Sequence, residues 1–239
     1  MKKIIAILLA SLLVFGAIAC TKSSAPAAES KPEATAEPES APVAGGWQIA
    51  ESNEITDEIR SLLAAATEGM VGAGIEPAAY LGSQLVAGRN HCLLCVVTPV
   101  VPDPVPHYAL VYLYEALDGT VTLMNIADLD LGALKTGSTG SAPASTESEL
   151  VPGGWGFSTE ELISEEQKAL YEKSVTASDY TAVAHLGSQI VSGLNHCYLA
   201  VNTSAGSYQL IYVYENPNGE VDATTVVPFD IGEFAQYGE

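Results

Sequence analysis

The residues with the clearest potential for chemistry are cysteines that follow histidines. His91 precedes Cys92 and His196 precedes Cys197, and Cys95 completes a Cys-x-x-Cys spacing with Cys92. A thiol beside an imidazole can serve as a nucleophile, and two cysteines three residues apart can hold a metal or form a redox pair. Each of these arrangements requires both side chains to lie on the same side of the backbone.

The surrounding sequence argues against all three kinds of site. Residues 90–101 have the composition of a strand, in which neighbours, and residues three apart, point to opposite faces. No glycine or proline between Cys92 and Cys95 supplies a bend, and no third residue that could orient a histidine recurs beside the pairs. We therefore predict small buried cysteines, no catalytic residue, no metal and no cofactor. The chain is predicted not to be an enzyme.

The chain contains an internal duplication. Residues 81–92 recur as residues 186–197, with nine of twelve positions identical. A Gly-Gly-Trp segment and an eight-residue apolar segment also recur: Gly45–Trp47 and Gly153–Trp155, and Tyr108–Glu115 and Tyr208–Glu215. Between the copies, Ser, Thr, Gly and Ala predominate, which is typical of a flexible linker. The sequence predicts a domain at 45–133, a linker at 134–152 and a second domain at 153–239.

Each copy has the pattern of one amphipathic helix among alternating strands. Thr56 is a plausible helix N-cap in the first copy, and Ser164 with Gln167 has capping-box spacing in the second. Asp118-Gly119 predicts a hairpin turn before the last strand. The predicted order is β-α-β-β-β-β. This order favours an α+β class, with an antiparallel sheet wrapped on one helix in each domain.

A Gln-x-Val-x-Gly motif lies where the first long hairpin should turn. In the first copy it comprises Gln84, Val86 and Gly88. Glycine permits a positive φ and a close approach of another backbone, while valine offers an apolar tip and glutamine a hydrogen-bonding side chain. The motif is also consistent with a tight hairpin that has no binding role.

The element order, the glycine pair and this motif together resemble the cystatin family, and the resemblance covers nearly all of both copies. It implies that the glycine pair of each copy, called the glycine trunk below, and the hairpin form a wedge that plugs the cleft of papain-like cysteine proteases. The residues implied to bind a protease are Gly45, Gly46, Gln84, Val86 and Gly88 in the first copy, and Gly153, Gly154, Gln189, Val191 and Gly193 in the second. The last hairpin departs from the family, because Leu117-Asp118-Gly119 and Asn216–Gly219 replace its usual apolar tip.

Two functions therefore stay open at this stage. The first is inhibition of a papain-like cysteine protease. The alternative is a non-inhibitory cell-surface binding module that captures glycans or proteins on a tyrosine-rich sheet face, which would include Tyr112 and Tyr114. The polar last loop favours the alternative, whereas the wedge motifs favour inhibition.

The amino terminus predicts export and lipidation. Two lysines precede an apolar run at Ile4–Phe15, which is too short for a comfortable membrane span. The run ends in Ala17-Ile18-Ala19-Cys20, which resembles the lipobox of bacterial lipoproteins. The sequence thus predicts a signal peptide at 1–19, lipidation of Cys20 and a disordered tether at 20–44. The predicted location is the bacterial cell envelope, extracytoplasmic and held at the membrane by the lipid.

The charge of the chain excludes one class of partner. The formal net charge is −20, and no basic stripe interrupts it. Such a surface repels the phosphate backbone of nucleic acids. The chain is therefore predicted not to bind nucleic acid.

Overall fold

A computed structural model describes residues 45–136, 153–157 and 162–235. The predicted signal peptide, Cys20, the tether and most of the predicted linker lie outside the described residues. The described residues before 137 are called the first repeat below, and those from 153 onward the second repeat. In the described parts of the chain, every helix is too short or too polar to cross a membrane.

The first repeat forms a five-stranded antiparallel sheet with strand order β1-β2-β3-β4-β5. Its elements are β1 (Trp47–Ile49), α1 (Asp57–Ala66), β2 (Ala73–Val86), β3 (Gly88–Pro99), β4 (His107–Glu115), β5 (Val121–Asp128) and the short helix α2 (Leu131–Lys135). The second repeat forms a matching sheet in the order β10-β9-β8-β7-β6. Its elements are β6 (Trp155–Gly156), α3 (Glu165–Ser174), β7 (Tyr180–Val191), β8 (Gly193–Asn202), β9 (Ser207–Glu215) and β10 (Val221–Phe229).

The two long helices begin where the capping residues predict. Thr56 Oγ1 accepts a hydrogen bond from the Ile59 N–H, which satisfies an amide that has no partner inside α1. Ser164 and Gln167 form a reciprocal capping box at the start of α3. Both predicted N-termini are confirmed.

The central strands are buried on both faces, which explains why they are apolar at nearly every position rather than at alternate ones. One face of the first sheet packs against α1 through Leu63, Leu93, Cys95, Val111 and Leu113. The alternate residues of the same strands belong to a different cluster, whose members come from both repeats: Cys92, Leu94, Leu110 and Tyr112 together with Cys197, Leu199, Leu210 and Tyr212, among others. The two sheets therefore share one apolar core.

Hydrogen bonds cross this core in both directions. Tyr112 donates its hydroxyl hydrogen to the carbonyl of Ile231, which follows β10. Tyr212 donates to the carbonyl of Leu131, at the start of α2, over 2.8 Å. The segment that follows the last strand of each repeat thus lies on the sheet of the other repeat. Trp47 and Trp155 pack edge-on against the same two tyrosine rings, at 5.6 and 5.7 Å between ring centroids.

The predicted α+β class was wrong. Strands hold 49% of the described residues and helices only 15%, so the fold is β-rich and built on two sheets. We had expected the helix of each repeat to cover its sheet. A ten-residue helix covers one face only, and the second sheet covers the other. The predicted domain boundaries stay a prediction.

The tyrosine-rich sheet face is buried and is not exposed to solvent. Tyr112 and Tyr212 are fully buried between the repeats, as are Tyr108 and Tyr208. Their packing removes the exposed stacking platform that the alternative function required. Of the six tyrosines of β4 and β9, Tyr114 and Tyr214, near the ends of these strands, are half-buried.

Candidate functional site

The β2–β3 hairpin of the first repeat turns at Ala87, and its geometry depends on Gly88. Gly88 has φ +130°, a region that side chains with a Cβ rarely adopt, as the motif predicts. Tyr114 donates its hydroxyl hydrogen to the Ala87 carbonyl over 2.6 Å. In the second repeat, Gly193 and Tyr214 take the same roles at φ +151° and 2.9 Å. Both hairpin tips are held from the neighbouring strand.

The glycine trunk is joined to the same hairpin. The Gly45 N–H donates to the Leu85 carbonyl over 3.0 Å. Gln84 Nε2 donates to the Gly45 carbonyl over 2.8 Å, and Asn90 Nδ2 donates to Gln84 Oε1 over 2.7 Å. The Gln84 amide is therefore occupied within the protein. The second repeat reproduces this network through Gly153, Gln189 and Asn195.

A second turn lies beside the first at the same end of the sheet. Arg89, just after the β2–β3 tip, is paired with Glu115, the last residue of β4. The β4–β5 turn follows at once, and Leu117 within it is 88% exposed. Val86 on the first tip is 39% exposed. Trunk, first hairpin and last hairpin of the first repeat thus form one ridge, on which Val86 and Leu117 are exposed apolar side chains.

The structure divides the predicted protease-binding residues by exposure. Gly45, Val86, Gly153 and Val191 are exposed; Gly46, Gly154, Gln189 and Gly193 are half-buried; Gln84 and Gly88 are buried. All ten lie at the end of a sheet that carries the ridge. The exposed and half-buried members are accessible to a partner, whereas Gln84 and Gly88 shape the ridge from within.

Replacement of Gly88 by alanine should strongly destabilise the protein. A Cβ at this position would lie 2.4 Å from the Glu115 carbonyl oxygen and 2.8 Å from the Tyr114 ring. We expect a loss of about 2–4 kcal/mol in the free energy of unfolding, from backbone strain and overpacking together. Urea unfolding measures this loss. Gly119→Ala is the matched control, because Gly119 also has a positive φ but no atom within 4 Å of the added carbon. Equal losses in the two variants would contradict the steric argument.

The cysteines are buried and separated. Cys92 belongs to the core between the repeats, while Cys95 faces α1. Burial raises the pKa of both thiols far above the ordinary value, and it raises the pKa of Cys197 to about 12. The predicted burial is confirmed. Thiols with such pKa values carry almost no thiolate at neutral pH and are poor nucleophiles.

The expectation that no residue orients the histidines was wrong. His91 Nε2 lies 3.2 Å from Glu115 Oε2, and the Tyr80 hydroxyl lies 3.0 Å from His91 Nδ1. Glu115 reaches His91 from β4, a strand that is distant in sequence. The sequence contained a signal for this partner, because a glutamate, Glu115 or Glu215, ends each copy of the recurring apolar segment.

The second repeat has a different set of partners at this place. His185 stands where the first repeat has Tyr80, and its Nε2 lies 3.3 Å from His196 Nδ1. Ser188 Oγ lies 3.3 Å from the first of these nitrogens and 3.1 Å from the second. A register shift between His185 and Gly187 brings His185 and Ser188 to one face of β7. Below, His185, Ser188 and His196 are called the histidine cluster.

Burial lowers the pKa of both histidines in the cluster, to about 3 for His185. Glu215 Oε2 lies 3.4 Å from His196 Nε2, within ion-pair distance but outside hydrogen-bond geometry. Both imidazoles are therefore neutral at neutral pH. Among the residues that the structure describes, no group of three or more His, Cys, Asp or Glu side chains is placed to hold a metal ion.

No protein-family model matches the chain, and no curated protein is significantly similar to it. The resemblance to cystatins therefore rests on the motif, the trunk and the element order, and it stays a prediction.

Proposed function

We propose that the chain is an inhibitor of papain-like cysteine proteases with two binding heads. Each head is the ridge formed by the glycine trunk and the two hairpin turns at one end of a sheet. The observation that carries the proposal is the joining of these three segments side by side in each repeat. A ridge of this shape can enter a cleft, whereas a flat sheet face cannot.

The hydrogen bonds of the ridge favour binding because they fix its shape in advance. Tyr114 holds the hairpin tip, and the Gln84 amide holds the trunk. A preorganised surface loses less conformational entropy on association than a flexible loop. The role of Gln84 in this proposal is to support the trunk.

The exposed tips supply the contact surface. Val86 and Leu117 in the first repeat, and Val191 in the second, are apolar side chains left in solvent. Burial of apolar area in a cleft is favourable by about 25 cal/mol per Å². The two heads differ beside the tip, where the first has Arg89 and the second has Leu194, so we expect them to prefer different clefts. The proposed lipid on Cys20 would present both heads at the cell envelope.

The test is inhibition of papain by tip variants. Val86→Glu should disable the first head and Val191→Glu the second, since each places a charge at the proposed contact. Central interface positions commonly contribute 2 kcal/mol or more, so we expect roughly a thirtyfold weaker inhibition constant for each head. The measurement is the rate of hydrolysis of a fluorogenic peptide by papain. Since either intact head can still inhibit, the double variant should show the full effect, roughly thirtyfold weaker inhibition than the unmodified chain.

Val101→Glu is the matched control, because Val101 is an exposed valine near the opposite end of the same hairpin. The strand between the two ends is roughly 35 Å long, so this variant should inhibit like the unmodified chain. An unmodified chain that does not slow papain-like proteases at micromolar concentration would refute the proposal. Equal effects of Val86→Glu and Val101→Glu would refute the assignment of the tip.

A further inference from the structure

We propose that the histidine cluster of the second repeat is a binding site for a divalent transition-metal ion such as Zn²⁺. His185 Nε2 and His196 Nδ1 would be the imidazole ligands, and Ser188 Oγ would be a third donor. This site lies apart from the exposed tips and does not depend on the proposed inhibition.

The spacing of the three donor atoms fits a small tetrahedral ion. Their separations are 3.3, 3.3 and 3.1 Å. Ligands at about 2.0–2.1 Å from a tetrahedral Zn²⁺ ion are roughly 3.3 Å apart. The three atoms therefore have the mutual spacing of three corners of such a tetrahedron.

The two imidazoles of the cluster are buried and held by packing. His185 is 2% exposed and His196 is 7% exposed. Tyr198 packs on both rings, with centroids 5.0 and 6.3 Å away, and so limits their rotation. Glu215 Oε2 lies 3.4 Å from the other ring nitrogen of His196, within ion-pair distance but outside hydrogen-bond geometry.

The first repeat provides an internal comparison. There Tyr80 replaces the first imidazole, and its hydroxyl can donate directly to His91 Nδ1 over 3.0 Å. This place therefore offers one imidazole and one phenol, whereas the second repeat offers two imidazoles. Burial raises the pKa of the Tyr80 phenol, so it remains protonated and is a poor ligand. Of these two equivalent places, we expect only the one in the second repeat to bind the ion.

The cluster has two ligands of the strongly binding types, His185 and His196, and its third donor is a serine hydroxyl. Imidazole suits zinc, copper and nickel, whereas magnesium and calcium prefer oxygen ligands. We therefore expect binding of Zn²⁺ and no competition from Mg²⁺.

The experiment is titration of the tag-free chain with Zn²⁺ by isothermal calorimetry, with Co²⁺ absorption as a spectroscopic readout. The unmodified chain should bind one ion. His185→Tyr copies the first repeat and should weaken binding at least tenfold while keeping the near-ultraviolet circular dichroism of the native fold. Tyr80→His copies the second repeat and should create a second site. Ser83→Ala, at the matching serine of the first repeat, should leave the single site unchanged.

Three results would overturn the proposal. They are an unmodified chain that binds no Zn²⁺, a His185→Tyr protein that binds as well as the unmodified chain, and a folded Tyr80→His protein that gains no second ion. The first would show that the cluster is only a hydrogen-bonded group. The second would place any bound ion among the surface carboxylates.

Discussion

A chain cut between residues 137 and 152 should yield two halves that lose their tertiary structure when separated and recover it when mixed. The reason is the shared core. Leu131 and Ile231 are buried against the opposite repeat, and the hydroxyls of Tyr112 and Tyr212 are bonded across the interface. A separated half would expose one whole apolar sheet face to water, including Tyr112 or Tyr212.

The expected loss is comparable with the whole stability of a small domain, about 5–15 kcal/mol. The measurement is near-ultraviolet circular dichroism and size-exclusion chromatography of the fragments 45–136 and 150–239, alone and mixed. The matched control is the full chain with a protease site inserted in this region, cut but not separated, which should stay native. Halves that are each folded and monomeric on their own would contradict the prediction.

The protein should lose stability on acidification, and His185→Tyr should remove much of that loss. The folded pKa of His185 lies at about 3, below its ordinary value of 6.5, because burial disfavours the charged ring. The unfolded chain therefore binds a proton below pH 6.5 that the folded chain rejects. Stability is complete above pH 6.5 and falls as the pH drops toward the folded pKa.

Between pH 7.5 and pH 5, one such histidine lowers the free energy of unfolding by about 2 kcal/mol. Urea unfolding at the two pH values, with a chelator present, measures the difference between the unmodified chain and His185→Tyr. His107 is the contrasting case, since its bond to Asp128 raises its pKa. Its contribution is present in acid and is lost as the pH rises, so its removal should not reduce acid sensitivity. An unchanged pH dependence in His185→Tyr would contradict the prediction.

Local features could be predicted from the sequence because their causes lie within a few residues. The N-cap at Thr56, the capping box at Ser164 and the positive φ of Gly88 each follow from the chemistry of one turn. The burial of the cysteines follows from strand alternation.

The fold class and the surroundings of the histidines could not be predicted in this way. The second sheet covers one face of the first sheet. The sequence of one repeat shows that this face is apolar but does not show what covers it. Glu115 reaches His91 from the neighbouring strand. The register shift that places His185 beside Ser188 cannot be recognised from the alternation of apolar and polar residues. The internal bonding of Gln84 depends on where the trunk runs.

The reciprocal contacts across the core have a consequence for the origin of the chain. Tyr112 bonds to the segment after β10, and Tyr212 bonds in return to the segment after β5. A contact that is repeated with its partners exchanged defines an isologous interface, the kind found in twofold homodimers. An ancestor with a single copy would have closed the same interface by dimerisation. Two copies in one chain are not bound by that symmetry, so equivalent places can carry different residues, as Tyr80 and His185 do.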